Sequence, residues 1–141
     1  MNLKKPLDSL WANCKYIRTD IKSGTRHVTV LTCDGRIYQW GSIDIKLDDW
    51  QNLKPGFVSE NLENLKVVQI ACGNSHTLAL TEDHQVFSWG NNMAGQLGTG
   101  NRIYEPNPKK ITGVHDFNGE IIAVACSAVN SIALDSNGHV L

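Results

Sequence analysis

Long hydrophobic runs are missing from this chain: no stretch approaches the roughly eighteen apolar residues of a membrane-spanning helix. The start, Met1-Asn2-Leu3-Lys4-Lys5-Pro6, also lacks the apolar core of a secretory signal. Cysteine is sparse. Cys14, Cys33, Cys72 and Cys126 stand far apart, none in a Cys-x-x-Cys pair, and no Asn-x-Ser/Thr acceptor occurs. A disulfide framework is thereby unsupported, and reduced thiols in an intracellular chain, cytoplasmic rather than nuclear, are expected. Neither sign of charge is in excess, since 13 Lys and Arg meet 14 Asp and Glu for a net charge of -1. No global field exists to draw in a nucleic-acid backbone or an anionic membrane, so neither is expected as a partner. Helical patterning is absent too: the best stretch, residues 48–65, is divided by Pro55-Gly56.

What the chain has instead is internal self-similarity, which decides architecture before any local reading. The segment from His27-Val28-Thr29-Val30-Leu31 to Tyr38-Gln39-Trp40-Gly41 lies without a gap over His76-Thr77-Leu78-Ala79-Leu80 to Phe87-Ser88-Trp89-Gly90, at an offset of 49. A third copy runs from Asn130 to Leu141, offset by 54 from the second. Just upstream, Ile70-Ala71-Cys72-Gly73 answers Val124-Ala125-Cys126-Ser127 and, more faintly, Ile21-Lys22-Ser23-Gly24. Within each unit the alternation has period two: Leu78 and Leu80 share one face, Thr77, Ala79 and Thr81 the other, and Val86 and Ser88 oppose Phe87 and Trp89. These are strands. The links 32–35, 81–84 and 135–138 read as tight turns whose last residue takes a positive φ, a place filled by Gly35, Gly138 and, against the rule, His84. Antiparallel units of this length, apolar on both faces, fit propeller blades, each of which shelters its faces against its neighbours. The expected fold is all-β, a partial β-propeller of about two and a half four-stranded blades in one domain. The units fall at about 18–66, 67–120 and 121–141, the last truncated.

The middle unit, with Ile70-Ala71-Cys72-Gly73, His76-Thr77-Leu78-Ala79-Leu80-Thr81 and Trp89-Gly90-Asn91-Asn92-Met93-Ala94-Gly95-Gln96-Leu97-Gly98-Thr99-Gly100, resembles the repeat of the regulator of chromosome condensation family. The resemblance is dense over 67–112 and partial over 18–41 and 121–141. It implies a seven-bladed ring, for which this chain holds too few units, so a fragment or truncated isoform is expected. Unit one departs after Trp40-Gly41, where residues 42–49 hold no Gly-Gln-Leu-Gly. That unit and its rebuilt loop look most like a blade of the secretion-regulating guanine nucleotide exchange factors.

Each candidate site has a structural counter-reading. Cys72 and His76 have a spacing a zinc site could use, but the equivalent pairs are Ser23 with His27 and Cys126 with Asn130, so no ligand set persists. Cys72 is expected to fill a small gap, and His76 to cap backbone groups where its strand begins. Gly95, Gly98 and Gly100 mimic a phosphate loop without its Lys-Ser/Thr ending; unusual dihedrals are the expected reason for them, with Asn92 and Gln96 bonding inside the loop around Leu97. Trp40 and Trp89, each followed by glycine (Gly41, Gly90), suit packing between blades with one partner for the indole N–H. The first 26 residues carry Lys4, Lys5, Lys15, Arg18, Lys22 and Arg26 against Asp8 and Asp20 and read as a solvated flank. The divergent loop near Trp50 and Phe57, with Asp44, Asp48, Asp49, Glu60 and Glu63, is the place to seek a partner surface. No nucleophile, base and carboxylate recur together, so no enzyme, cofactor or small-molecule substrate is expected.

The resemblance then implies a non-catalytic interaction propeller, as in an exchange factor that weakens nucleotide binding to a small GTPase by surface contact. A chromatin-associated propeller meeting histones or DNA, and an inactive fragment, are the alternatives. Open blade faces are expected to make the isolated chain self-associate.

Overall fold

The computed structural model describes residues 20–25, 27–41, 56–58, 61–113 and 119–141. Among them are ten strands and no α-helix. The first sheet is β1 (Asp20–Ser23), β2 (His27–Leu31), β3 (Ile37–Gly41) and β4 (Gly56–Val58), hydrogen-bonded in that order. The second repeats it with β5 (Val67–Cys72), β6 (His76–Thr81), β7 (Val86–Gly90) and β8 (Glu105–Lys110). The third holds β9 (Ile121–Cys126) and β10 (Ser131–Asp135). All pairs are antiparallel. The architecture is a partial β-propeller.

The turns behave as their sequences require. Gly35, His84 and Gly138 have φ of 82°, 60° and 87°. Residues before each turn brace it: the Thr81 hydroxyl bonds the Gln85 backbone N–H and carbonyl, and Thr32 does the same at Arg36. In unit three Asp135 takes over, its buried carboxylate accepting the backbone N–H groups of Asn137 and His139 and the His139 ring. His84 keeps its unusual backbone for a reason: its Nδ1 lies 3.0 Å from the Ile121 carbonyl of the next sheet and its Nε2 3.3 Å from Glu120.

The alternation places the core. Ile70, Ala79, Phe87 and Trp89 point from the second sheet toward the first, where they meet Leu31 and Ile37. Ala71, Leu78, Leu80 and Val86 point the other way, onto Ile121, Val124 and Ala133 of the third. Each such fully buried large side chain stabilises the fold by about 1.5–3 kcal/mol. The middle sheet is therefore stable only between two neighbours. A register shift in β5 between Val67 and Gln69, and one where Ile121 and Ala123 pair Asp135 and Leu134, throw Val68 and Ile122 outward as bulges.

The first strands of the three sheets lie side by side. The turns that follow them are linked in series: Thr25 N–H donates to the Asn74 carbonyl, and Asn74 N–H to the Ala128 carbonyl, both at 3.0 Å. The two bonds repeat at the sequence offsets of 49 and 54.

Candidate functional site

The most ordered chemistry lies in the seams between sheets. The turns 24–27, 73–76 and 127–130 close identically, with Gly24, Gly73 and Ser127 N–H each donating to the carbonyl three residues on at 2.9 Å. His27 and His76 fold back over their own turns, so tightly that a Cβ on Gly24 or Gly73 would strike the imidazole and the carbonyl of the next turn. Unit three has no histidine there, and Ser127 carries a side chain that accepts a bond from Asn130 Nδ2 at 3.2 Å.

Each ring reaches across its seam. His27 Nε2 lies 3.1 Å from Thr77 Oγ1, and His76 Nε2 3.1 Å from Ser131 Oγ, the same position one unit later. The Ser131 hydroxyl donates its one proton to the Gln96 carbonyl, so His76 must donate from Nε2. Its Nδ1, like that of His27, is buried without a partner. Charge is unwelcome there. Burial, aided by the neighbouring His76, pushes the His27 pKa down to about 4, and burial lowers that of His76 as well. His76 thus ties two sheets together instead of capping its own strand, because its ring is turned into the seam.

Trp89 is buried between the first and second sheets, and its indole N–H donates to Gln39 Oε1 at 3.0 Å. The same oxygen accepts from Thr29 Oγ1 at 3.2 Å and from Thr77 Oγ1 at 3.4 Å. Gln39 is a hub that sequence reading missed; its counterpart in unit two is Ser88, which donates to the Leu97 carbonyl at 2.8 Å. Trp40 is half-buried on the face of the first sheet turned away from the second. Gly41 and Gly90 pair with His27 and His76 across the hairpins, and a Cβ on Gly90 would lie 2.5 Å from the Ser75 carbonyl oxygen.

The loop after β7 is held from within. Asn92 accepts the Leu97 N–H at 3.0 Å and donates from Nδ2 to Thr99 and Asn101. Gln96 accepts the Ala94 N–H at 2.9 Å and donates to Asn91 Oδ1 at 3.2 Å. Leu97 is fully buried, while Gly95, Gly98 and Gly100 take φ of 80°, 66° and 76°.

Cys72 and Cys126 are free and half-buried beside a cavity of about 390 Å³ lined by the three turns. Burial raises both thiols, and Cys126, with Cys72 adding to the effect and Ser131 opposing it, reaches about 12. Both therefore stay protonated and poorly nucleophilic. Among the described residues no three His, Cys, Asp or Glu side chains gather as a metal site would require. Nor is any helix among them long and apolar enough to cross a membrane. Gln69, a second residue without a sequence signal, grips the Val124 backbone at both N–H and carbonyl, at 2.9 and 3.0 Å. Phe57 belongs to strand β4, paired with Tyr38, and not to a loop, because β4 completes the first sheet. Trp50, Asp44, Asp48, Asp49, Glu60 and most of the basic amino-terminal segment lie outside the described residues.

Comparison with known proteins fits this geometry. A regulator of chromosome condensation (RCC1) repeat profile matches residues 46–80 and 83–134, and a second profile of the same description matches 67–96. The chain belongs to the RCC1 repeat family. Human E3 ubiquitin-protein ligase HERC2 is 34% identical to this RCC1-repeat chain over 126 residues, 85% of the chain but 2% of HERC2. Human protein RCC2 is 33% identical over 144 residues, 93% of the chain and 27% of RCC2. The crystal structure of Prp20p from Saccharomyces cerevisiae, described with its binding to Gsp1p and histones, superposes with a TM-score of 0.65 at 25% identity. That match covers 86% of the RCC1-repeat chain and 32% of Prp20p. The chain thus spans about a quarter or less of its curated relatives.

Proposed function

We propose that these units serve a non-catalytic propeller that acts by protein contact, as an exchange factor or regulator of a small GTPase. The supporting observation is the RCC1-repeat match over residues 46–80 and 83–134, which takes in the whole middle sheet, together with a similar fold in Prp20p, whose structure is described with Gsp1p binding. A narrower kinship with the secretion-regulating exchange factors, and a cytoplasmic site of action, belong to the same reading. The test is fluorescent-nucleotide release from a panel of small GTPases on adding the protein that carries these units. Accelerated release from one member supports the reading, and no acceleration with any member rejects it. Histone contact is the second reading, favoured by the description of Prp20p binding histones; DNA contact has no support from a chain of net charge -1. Co-sedimentation with histone octamers, with and without DNA, separates the two.

A further inference from the structure

Exposed apolar side chains on the first and third sheets have a simple origin, since each of those sheets has one face without a neighbour among the described residues. Strands β5–β7 of the middle sheet are covered on both faces, whereas β8 is largely exposed. The exposed large hydrophobics of this unit therefore require another explanation. Val68 is the β5 bulge, and the rest, Met93 at 68%, Ile103 at 64% and Tyr104 at 38% exposure, all lie on the loop between β7 and β8. Asn92 holds Asn101 by two bonds, Met93 N–H is tied to Asn91 and Ile103 N–H to Asn101, so the two limbs stand side by side with their apolar residues turned out. The loop is cross-braced by its own side chains, and unit one does without its glycine pattern. A preorganised patch of Met, Ile and Tyr has the composition of a protein-contact anchor.

Charge narrows the partner. Residues 91–113 hold Arg102, Lys109 and Lys110 against Glu105 alone, a net +2 within a chain of -1. Glu105 is neutralised by Lys109, and Arg102 stands between Asn101 and Ile103 at the patch itself with no ion pair among the described residues. We infer that the loop 91–104 is a docking surface for an acidic protein segment in which an apolar side chain is flanked by carboxylates. This deepens the protein-contact reading by naming a surface and a partner chemistry, and it does not require that the partner be a GTPase.

Two synthetic peptides with one apolar core, flanked by Glu in one and by Lys in the other, test it by titration into the 15N-labelled 141-residue chain. The Glu peptide is expected to shift the amide signals of 93 and 102–104 and to bind up to about fivefold more tightly than the Lys peptide, the scale of an exposed ion pair. Arg102→Glu should reverse that order. Met93→Ser with Ile103→Ser should weaken both peptides while leaving signals of the β5–β7 core in place, which separates lost contact from lost fold. Equal binding of both peptides, shifts confined to the outer faces of the first and third sheets, or displacement of the Glu peptide by a single-stranded oligonucleotide would overturn the assignment. GTPase exchange in the protein carrying these units is measured separately, so either reading can fail alone.

Discussion

Replacing Gln39 by Leu roughly keeps the volume of the side chain and removes its amide, acceptor oxygen and NH2 together, and the seam geometry sets the cost. Trp89 Nε1 is then left buried without an acceptor, and the Thr29 and Thr77 hydroxyls lose theirs as well. A buried donor left unmade costs about 1–3 kcal/mol, whereas the 3.4 Å Thr77 contact adds little, so about 3 kcal/mol in all is expected for Gln39→Leu. Trp89→Phe removes the donor instead, and Gln39 Oε1 still has two hydroxyls, so its hydrogen-bond cost is smaller. In the Trp89→Phe background Gln39→Leu should cost about 1 kcal/mol less than in the parent, because one orphan no longer arises. Urea unfolding followed by far-ultraviolet circular dichroism measures the cycle without depending on tryptophan emission. Additivity to within about 0.3 kcal/mol would mean that the indole does not bond to Gln39, and the account of the seam would be wrong. Trp89→Ala, which empties the site, should cost about 3–5 kcal/mol by the same assay.

Other expectations follow from the turns and the buried rings. Gly73→Ala forces a Cβ against the His76 ring and the Ser127 carbonyl and should cost about 3 kcal/mol or more, while Gly95→Ala, with open space around it, meets only the left-handed backbone cost of about 1–2 kcal/mol. His27 titrates lower in the folded chain than its ordinary 6.5, so the unfolded chain binds more protons between the two values. Its contribution to stability is therefore complete above pH 6.5 and falls away toward pH 4, by about 3 kcal/mol in all. Denaturant midpoints across that range should decline, and less steeply for His27→Gln. Asn92→Ala should cost about 2 kcal/mol by orphaning the buried Leu97 N–H, seen as faster amide exchange in 94–101 before global unfolding.

Strands and turns were readable because their causes are local: period two shows in Leu78 and Leu80 against Thr77 and Ala79, and one turn chemistry recurs three times. Even His84, an apparent exception, follows a local rule that tolerates it, although its bond to the next sheet was invisible. The seam was not readable. Whether Gln39 meets a tryptophan 50 residues on, whether His76 faces its own strand or Ser131, and whether Gln69 grips the Val124 backbone all depend on how one sheet is set against another, a relation no single strand encodes. The bulges were missed for a related reason: Val67-Val68 and Ile121-Ile122 read as continuous apolar runs, and only pairing reveals which residue is thrown out. Phe57 reads as a loop residue in the sequence because its strand is three residues long and lacks alternation of its own.

The series of bonds from Thr25 to Asn74 to Ala128 has a direction, since each turn with a successor gives its amide to the carbonyl of the next, and the middle turn both gives and receives. A whole unit can be duplicated or lost during evolution and the series closes again over the gap, because giver and receiver are backbone atoms that every residue but proline supplies. A single residue added inside one of those turns has no such escape: it would displace both a giver and a receiver at once. Gene growth by entire modules, with these short corners kept at fixed length, is the pattern such a spine permits.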